Sequence, residues 1–338
     1  MHRLLACLLL LVLAVPAAAE TDRAAFIRFA QSLVKVEAVD EDGRFYLGTG
    51  VAIAPGTVVT SCHVTRNANN IRLIKGGLRF VVNSEWNDLE HDVCLLYSAA
   101  FDAPAVPMGS AEQLKFGQKV AAIGFTGGLE LQVREGTVEG LHRLDGSNVI
   151  QTSAAFTSGA SGGGLFDEQG RLVGILTFRL RGVNGYYFST PVDWLRTGVG
   201  DRSHYGKVAA QAGPVPFWQR PLDSLPYFMQ ALSLAADRKW SDVVQLTDKW
   251  SVEEMGSAEP WFARGYAYTQ LDRPDAAIKA YRKAVTLDPM NSLAWFNLGR
   301  LYQSEGQSKM PDVREALRKL DAHLFKQLLS EDKGNAKN

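Results

Sequence analysis

From about Thr21 to Leu195 the apolar residues come in short runs broken by glycine-marked turns, with no stretch of helical period between them. In VEAVDEDGRFYLGTGVAIA two runs flank Asp42-Gly43, and in LHRLDGSNVIQT two flank Asp145-Gly146. Asp-Gly between alternating segments suits a tight hairpin, because both central residues must take positive φ. Glu168-Gln169-Gly170 separates GLF from RLVGILTF in the same manner. Many short strands without crossover helices predict an all-β barrel or sandwich over residues 21–197.

The pattern then changes twice. Over residues 198–223 periodicity stops, and Gly198, Gly200, Gly206, Gly213, Pro214, Pro216 and Pro221 mark a linker that the prolines stiffen into a semi-rigid spacer. Beyond it Tyr227, Trp261 and Trp295 recur at intervals of 34 residues, as do Ala231, Gly265 and Gly299, and Leu234, Tyr268 and Tyr302. WFNLGRLY at 295–302 carries the W-x-x-L-G-x-x-Y pattern in full, and WFARGYAY at 261–268 departs only at Arg264. Ala277, Tyr281, Ala284 and Pro289 supply the second half of the middle unit. This period and pattern resemble tetratricopeptide (TPR) repeats, which implies an all-α solenoid over 224–330. The first unit has Tyr227 and Ala231 for the tryptophan and glycine. In the third unit the second helix is delayed, and one last helix from near Pro311, with Val313, Leu317, Leu320, Leu324 and Leu328 on one stripe, is expected to cap the stack. Residues 331–338 read as a flexible tail.

Composition adds the compartment. MHRLLACLLLLVLAVPAAAE has a basic start, an apolar run from Leu4 to Val15 and Ala17-Ala18-Ala19 before Glu20, the layout of a signal peptide at 1–19. The run is well short of the ~20 residues of a spanning helix, so no stable membrane span is expected after cleavage. Cleavage removes Cys7 and leaves Cys62 and Cys94, with no C-x-x-C pair and no metal-binding pattern. The mature protein should be exported, most simply to a bacterial periplasm. With 36 basic and 36 acidic residues there is no electrostatic case for nucleic acid.

The remaining question is what the stretch TSGASGGGLF at 157–166 does, lying as it does between strands rather than in a linker. A serine hydroxyl needs a base within hydrogen-bond reach, and a base needs a carboxylate to hold its tautomer. VVTSCHVT offers His63 and EHDVCLLY offers Asp92, so the order along the chain is His63, Asp92, Ser161. A nucleophile-elbow esterase would need the serine before the histidine, on a strand-turn-helix.

TSCHV, HDVCLL and GASGGGLF resemble the histidine, aspartate and serine blocks of trypsin-like serine proteases of the bacterial periplasmic type. YLGTGVAIA resembles the glycine hairpin before the histidine, and GRLVGILTF and GYYFSTPVDWL the strands after the serine, so the resemblance covers nearly all of 25–196. It implies a double six-stranded β-barrel, a His63–Asp92–Ser161 triad at the seam, an oxyanion hole from the Gly159 and Ser161 amides, and no cofactor. Ala160 stands where zymogen-activated relatives carry an aspartate, so another device must order the site. Ala155, with Thr177 and Phe178 on the wall, implies an uncharged substrate pocket for small or medium apolar side chains. If His63 and Asp92 touch, Cys62 and Cys94 come close; Asp92 and Cys94 read as sharing one strand face, and a disulfide or two buried thiols would both satisfy the spacing. The expected activity is hydrolysis of protein or peptide substrates, with the repeats holding substrate or a protein partner in their groove. The alternatives are a catalytically silent β domain on a binding scaffold, and a binding module to which the β domain is accessory.

Overall fold

The computed structural model describes residues 29–180, 186–304 and 310–335. The leader expected at 1–19 and the last three residues of the expected tail lie outside the described residues.

The β half has two units. The first holds β1 (Leu33–Val39), β2 (Phe45–Ala54), β3 (Thr57–Thr60), β4 (Asn70–Lys75), β5 (Leu78–Val81), β6 (Ser84–Asp88) and β7 (Val93–Tyr97). The second holds β8 (Lys119–Thr126), β9 (Glu130–Leu144), β10 (Ser147–Thr152), β11 (Gly164–Asp167), β12 (Leu172–Leu180) and β13 (Tyr186–Pro191). Both chain reversals lie where expected, but only Asp145 and Gly146 are both left-handed, at +44° and +83°; at the first, Gly43 alone has positive φ, +77°, in a longer loop closed by the Asp40 amide on Arg44 O.

The second unit closes into a six-stranded barrel in the order β10-β13-β12-β11-β8-β9. The first does not match the expected six-stranded barrel. It is a seven-stranded sheet, β5-β4-β1-β2-β3-β7-β6, curled over Val34, Val36, Ile71, Leu73 and Leu96. The outer edge of β6 is paired instead with the segment beyond the β half: Glu85 and Gly206 exchange backbone hydrogen bonds of 2.9 and 2.8 Å. Between the units lies an apolar seam that includes Leu33, Val51, Leu95, Ile123, Phe166 and Ile175, each at most 1% exposed.

The helical half comprises α1 (Tyr227–Ala236), α2 (Trp240–Glu253), α3 (Glu259–Gln270), α4 (Pro274–Leu287), α5 (Ser292–Ser304), α6 (Met310–Leu320) and α7 (Ala322–Asn335). The repeating small residue has a visible purpose: a Cβ on Gly265 would strike the Tyr281 ring at 2.8 Å, so glycine lets the buried tyrosine of α4 lie against α3. The single last helix expected from the Val313–Leu328 stripe is two helices. Asp321 breaks it, its Oδ1 accepting from the amides of His323 and Leu324 at 2.9 Å as an N-terminal cap for α7. The new helix runs through Asn335, past the point where the tail was expected to begin.

The two halves dock. Phe228 of α1 stacks on His142 of β9 at 4.3 Å with 7° between the rings. Glu259 of α3 accepts from the Arg143 amide at 2.8 Å and meets His142 Nδ1 at 3.1 Å. Residues 198–223, expected as a spacer, form a strap along the first unit. Beyond the Gly206 pairing, the Gln211 amide donates to Arg66 O at 2.6 Å and the Phe217 amide to Glu90 O at 2.9 Å.

Candidate active site

The three candidate residues come from three elements at the seam. His63 sits on the single helical turn Cys62–Thr65 that follows β3, and its side chain is 22% exposed. Asp92 is fully buried and lies one residue before β7, in the left-handed region at φ +61°, where aspartate is among the better tolerated residues. It is therefore not on the face of a strand with Cys94, as the sequence suggested. Cys94 instead faces Thr60 across the β3–β7 pair, which brings it beside Cys62, and the two cysteines form a disulfide.

The Asp92 turn aims its carboxylate at the helical turn. Oδ1 accepts from the His63 amide at 2.7 Å, and Oδ2 accepts from His63 Nδ1 at 2.6 Å. A third donor, the Trp218 indole N–H, reaches Oδ2 at 3.0 Å. A buried carboxylate is tolerable when its lone pairs are filled, and three N–H groups fill these. With Nδ1 holding its proton toward Asp92, Nε2 of the neutral ring is left as an acceptor.

Ser161 lies in the loop 157–163 that leads into β11. The loop is pressed against the first unit so closely that glycine is required. A Cβ on Gly162, at φ +83°, would land on the Thr49 carbonyl and the Thr60 hydroxyl. A Cβ on Gly48 would meet the Val64 side chain at 2.7 Å and the Ser161 carbonyl at 3.0 Å, so the histidine turn and the serine loop converge on that one point. Within the loop, the Ala160 amide donates to Thr157 O, Gly162 to Leu176 O and Gly163 to Ala160 O, at 2.8–3.0 Å. Among the described residues the amides of Gly159 and Ser161 donate to nothing. Such a pair of unpaired amides, the serine's own and that of the residue two before it, is the equipment needed to receive a developing oxyanion. No hydrogen bond joins the Ser161 hydroxyl to His63 among the described residues.

Residues 48–175 match the family model described as a trypsin-like peptidase domain, and residues 258–306 match one described as a TPR repeat. The chain joins a trypsin-like peptidase domain to TPR repeats. A protein of Halomonas elongata named "Probable periplasmic serine endoprotease DegP-like" is 34% identical over 156 residues, 44% of this chain and 33% of its own length. "Protease Do-like 1, chloroplastic" of Arabidopsis thaliana is 36% identical over 170 residues, 45% of this chain and 38% of its own. The chain thus spans about a third of the length of these curated relatives. The Rv3671c protease from M. tuberculosis, in its active form, shares the fold with a TM-score of 0.51 at 22% identity, over 63% of this chain and 100% of that one.

In the peptidase domain the residue before Ser161 carries no charge with which to hold the serine loop. Ala160 is 2% exposed and lies against Gly124, where an added Cβ would stand 3.0 Å from it. The ordering falls to Thr49 of β2. Its amide donates to Ser161 O at 2.8 Å, its hydroxyl donates to Gly159 O at 2.8 Å, and that hydroxyl accepts from the Phe125 amide at 2.8 Å. Thr49 was not singled out from sequence, although a threonine between Gly48 and Gly50, in the middle of a strand, is a visible oddity.

Of the expected pocket residues, Ala155 is half-buried, whereas Thr177 and Phe178 are 3% and 4% exposed. The Thr177 hydroxyl bonds Ile175 O at 2.7 Å and the Thr190 hydroxyl at 3.1 Å. Phe178 stacks on Phe188 at 4.8 Å and on Trp218 at 5.1 Å, so its faces are taken by rings rather than open space.

Beside Asp92, His91 clamps the two units together. Its Nδ1 meets Asp88 at 2.6 Å and its Nε2 meets Asp145 at 3.1 Å, while its ring packs on Trp194 at 4.1 Å. Burial opposes its charge, but the hydrogen bonds to Asp88 and Asp145 outweigh burial and raise its pKa. Among the described residues no group of three or more His, Cys, Asp or Glu side chains is arranged to hold a metal ion.

Proposed function

We propose that the chain is an exported serine endopeptidase, working in a bacterial periplasm, in which Ser161 is the nucleophile, His63 the general base and acid, and Asp92 the group that orients His63. The observation that carries this is the fully buried Asp92 carboxylate, bonded to both the amide and Nδ1 of His63, with two unpaired amides flanking the nearby Ala160. His63 Nε2 takes the proton of Ser161 Oγ as it attacks a peptide carbonyl, and the oxyanion accepts from Gly159 N–H and Ser161 N–H. His63 then gives the proton to the leaving amine, and water, deprotonated by the same nitrogen, releases the acyl group. The half-buried, uncharged Ala155 favours small or medium apolar side chains at the cleaved position. The Halomonas relative named as a periplasmic serine endoprotease and the Arabidopsis relative named as a protease support this reading. The repeats, docked on the barrel of the second unit, hold a protein substrate or partner in their groove.

Fluorophosphonate labelling of the mature chain tests the assignment. Labelling lost in Ser161→Ala and in His63→Ala is expected; a wild-type chain that stays unlabelled would sink it. That result would favour a silent β domain on a binding scaffold, the reading to which the missing Ser161–His63 hydrogen bond points.

A further inference from the structure

The strap between the two halves carries a side chain that no sequence motif marks. Trp218 lies on the 3-10 turn Phe217–Gln219, and its indole N–H donates to Asp92 Oδ2, the same oxygen that accepts from His63 Nδ1. Its ring stands edge-on to the His63 ring at 5.5 Å, with 83° between planes, and lies flat on Phe178 at 5.1 Å. The turn is held from both sides: the Phe217 amide donates to Glu90 O at 2.9 Å, and Arg220 Nη2 reaches Glu90 Oε1 at 2.5 Å. Phe217 itself is 2% exposed, wedged edge-on against Phe178 and Trp194.

Through these rings the indole is linked to the helices. Phe178 stacks on Phe188, and Phe188 contacts Phe228 of α1 at 6.3 Å. No other side chain besides His63 and Trp218 donates to the Asp92 carboxylate among the described residues, and the Thr177 hydroxyl is engaged elsewhere. We propose that Trp218 is a positioning residue for the peptidase site, by which the strap and the docked helical half hold the Asp92–His63 pair in its working geometry. This rests on the endopeptidase reading. A hydrogen bond to a carboxylate is among the stronger ones, and here it fixes the rotation of Asp92 about the axis that aims Oδ2 at His63.

The test uses the full mature chain and Trp218→Phe, which keeps one ring against Phe178 and removes the N–H together with part of the indole. With a chromogenic ester substrate kcat should fall about tenfold while KM stays within about twofold, because the lost interaction serves the base and not substrate binding. Proton NMR should show the low-field His63 Nδ1 resonance displaced and exchanging faster with water. Unchanged kcat, a loss confined to KM, a rise in kcat, or an unmoved resonance would each overturn the proposal, the rise marking Trp218 as a cover over the site. Failure of the endopeptidase reading shows separately, as a wild-type chain that takes no fluorophosphonate; the resonance in Trp218→Phe then decides the positioning role alone.

Discussion

The disulfide offers a prediction whose size follows from the fold. Cys62 and Cys94 are 1% and 0% exposed and are separated by 32 residues, a loop that contains both His63 and Asp92. Closing a loop of that length removes on the order of 12 cal/mol/K of unfolded-chain entropy, so Cys62→Ala/Cys94→Ala should lose about 4 kcal/mol of stability at 25 °C. The folded site should survive the change. Thr60 stays opposite Cys94 through the β3–β7 pairing, the Cys62 amide still donates to Asp92 O at 3.3 Å, and the His63–Asp92 hydrogen bonds do not pass through sulfur. Urea unfolding followed by near-UV dichroism should therefore show the midpoint falling by about 2 M, taking a slope of about 2 kcal/mol/M. Fluorophosphonate labelling in native buffer should stay within about twofold of wild type. A stability loss under about 1 kcal/mol, or labelling lost without unfolding, would refute the view that the bridge acts on the unfolded chain and not on the site.

Thr49→Val strips the hydroxyl that joins Gly159 O to the Phe125 amide and leaves both groups without it; a loss of about 1–3 kcal/mol by urea titration and at least tenfold slower labelling are expected. Gly162→Ala sets a methyl on Thr49 O and Thr60 Oγ1 at a left-handed φ, and should abolish labelling and lower the thermal midpoint; retained labelling would contradict the close approach of loop and sheet. His91 has a raised pKa, so its contribution to stability is complete below the ordinary imidazole value of about 6.5 and fades as pH rises through the folded value. His91→Asn should cost more stability at pH 6 than at pH 9, and an equal cost at both would exclude an ionic clamp. Glu85 is 2% exposed, and burial raises its pKa against the hydrogen bonds from Gln211 and the Ala209 amide. Its stabilising share is present below the ordinary carboxylate range and is lost as pH rises through the raised value, so Glu85→Gln should stabilise the chain at pH 8 and change little at pH 4.

Much of this protein could be read along the chain, because its strongest signals are local or periodic. Asp-Gly pairs announce hairpins, a 34-residue period announces stacked helix pairs, and His63, Asp92 and Ser161 stand within recognisable blocks. Each depends on backbone conformation or spacing, which neighbouring residues set. The seven-stranded first sheet, the break at Asp321 and the course of the strap were not readable, since each depends on what meets an edge or an end in space. An aromatic pair, Phe217-Trp218, between Pro216 and Pro221 was a hint that the segment packs on something.

By itself the sequence determined two halves, one of short strands and one of helical repeats, together with the identity of the candidate nucleophile, base and carboxylate. Only the tertiary structure decided that Thr49 holds the serine loop, that two cysteines meet across β3 and β7, and that a linker tryptophan reaches the buried Asp92. The reason is physical. Propensity and period act over a few residues, whereas a hydrogen bond between Trp218 and Asp92 joins positions 126 apart and exists only once the strap has packed on the first unit.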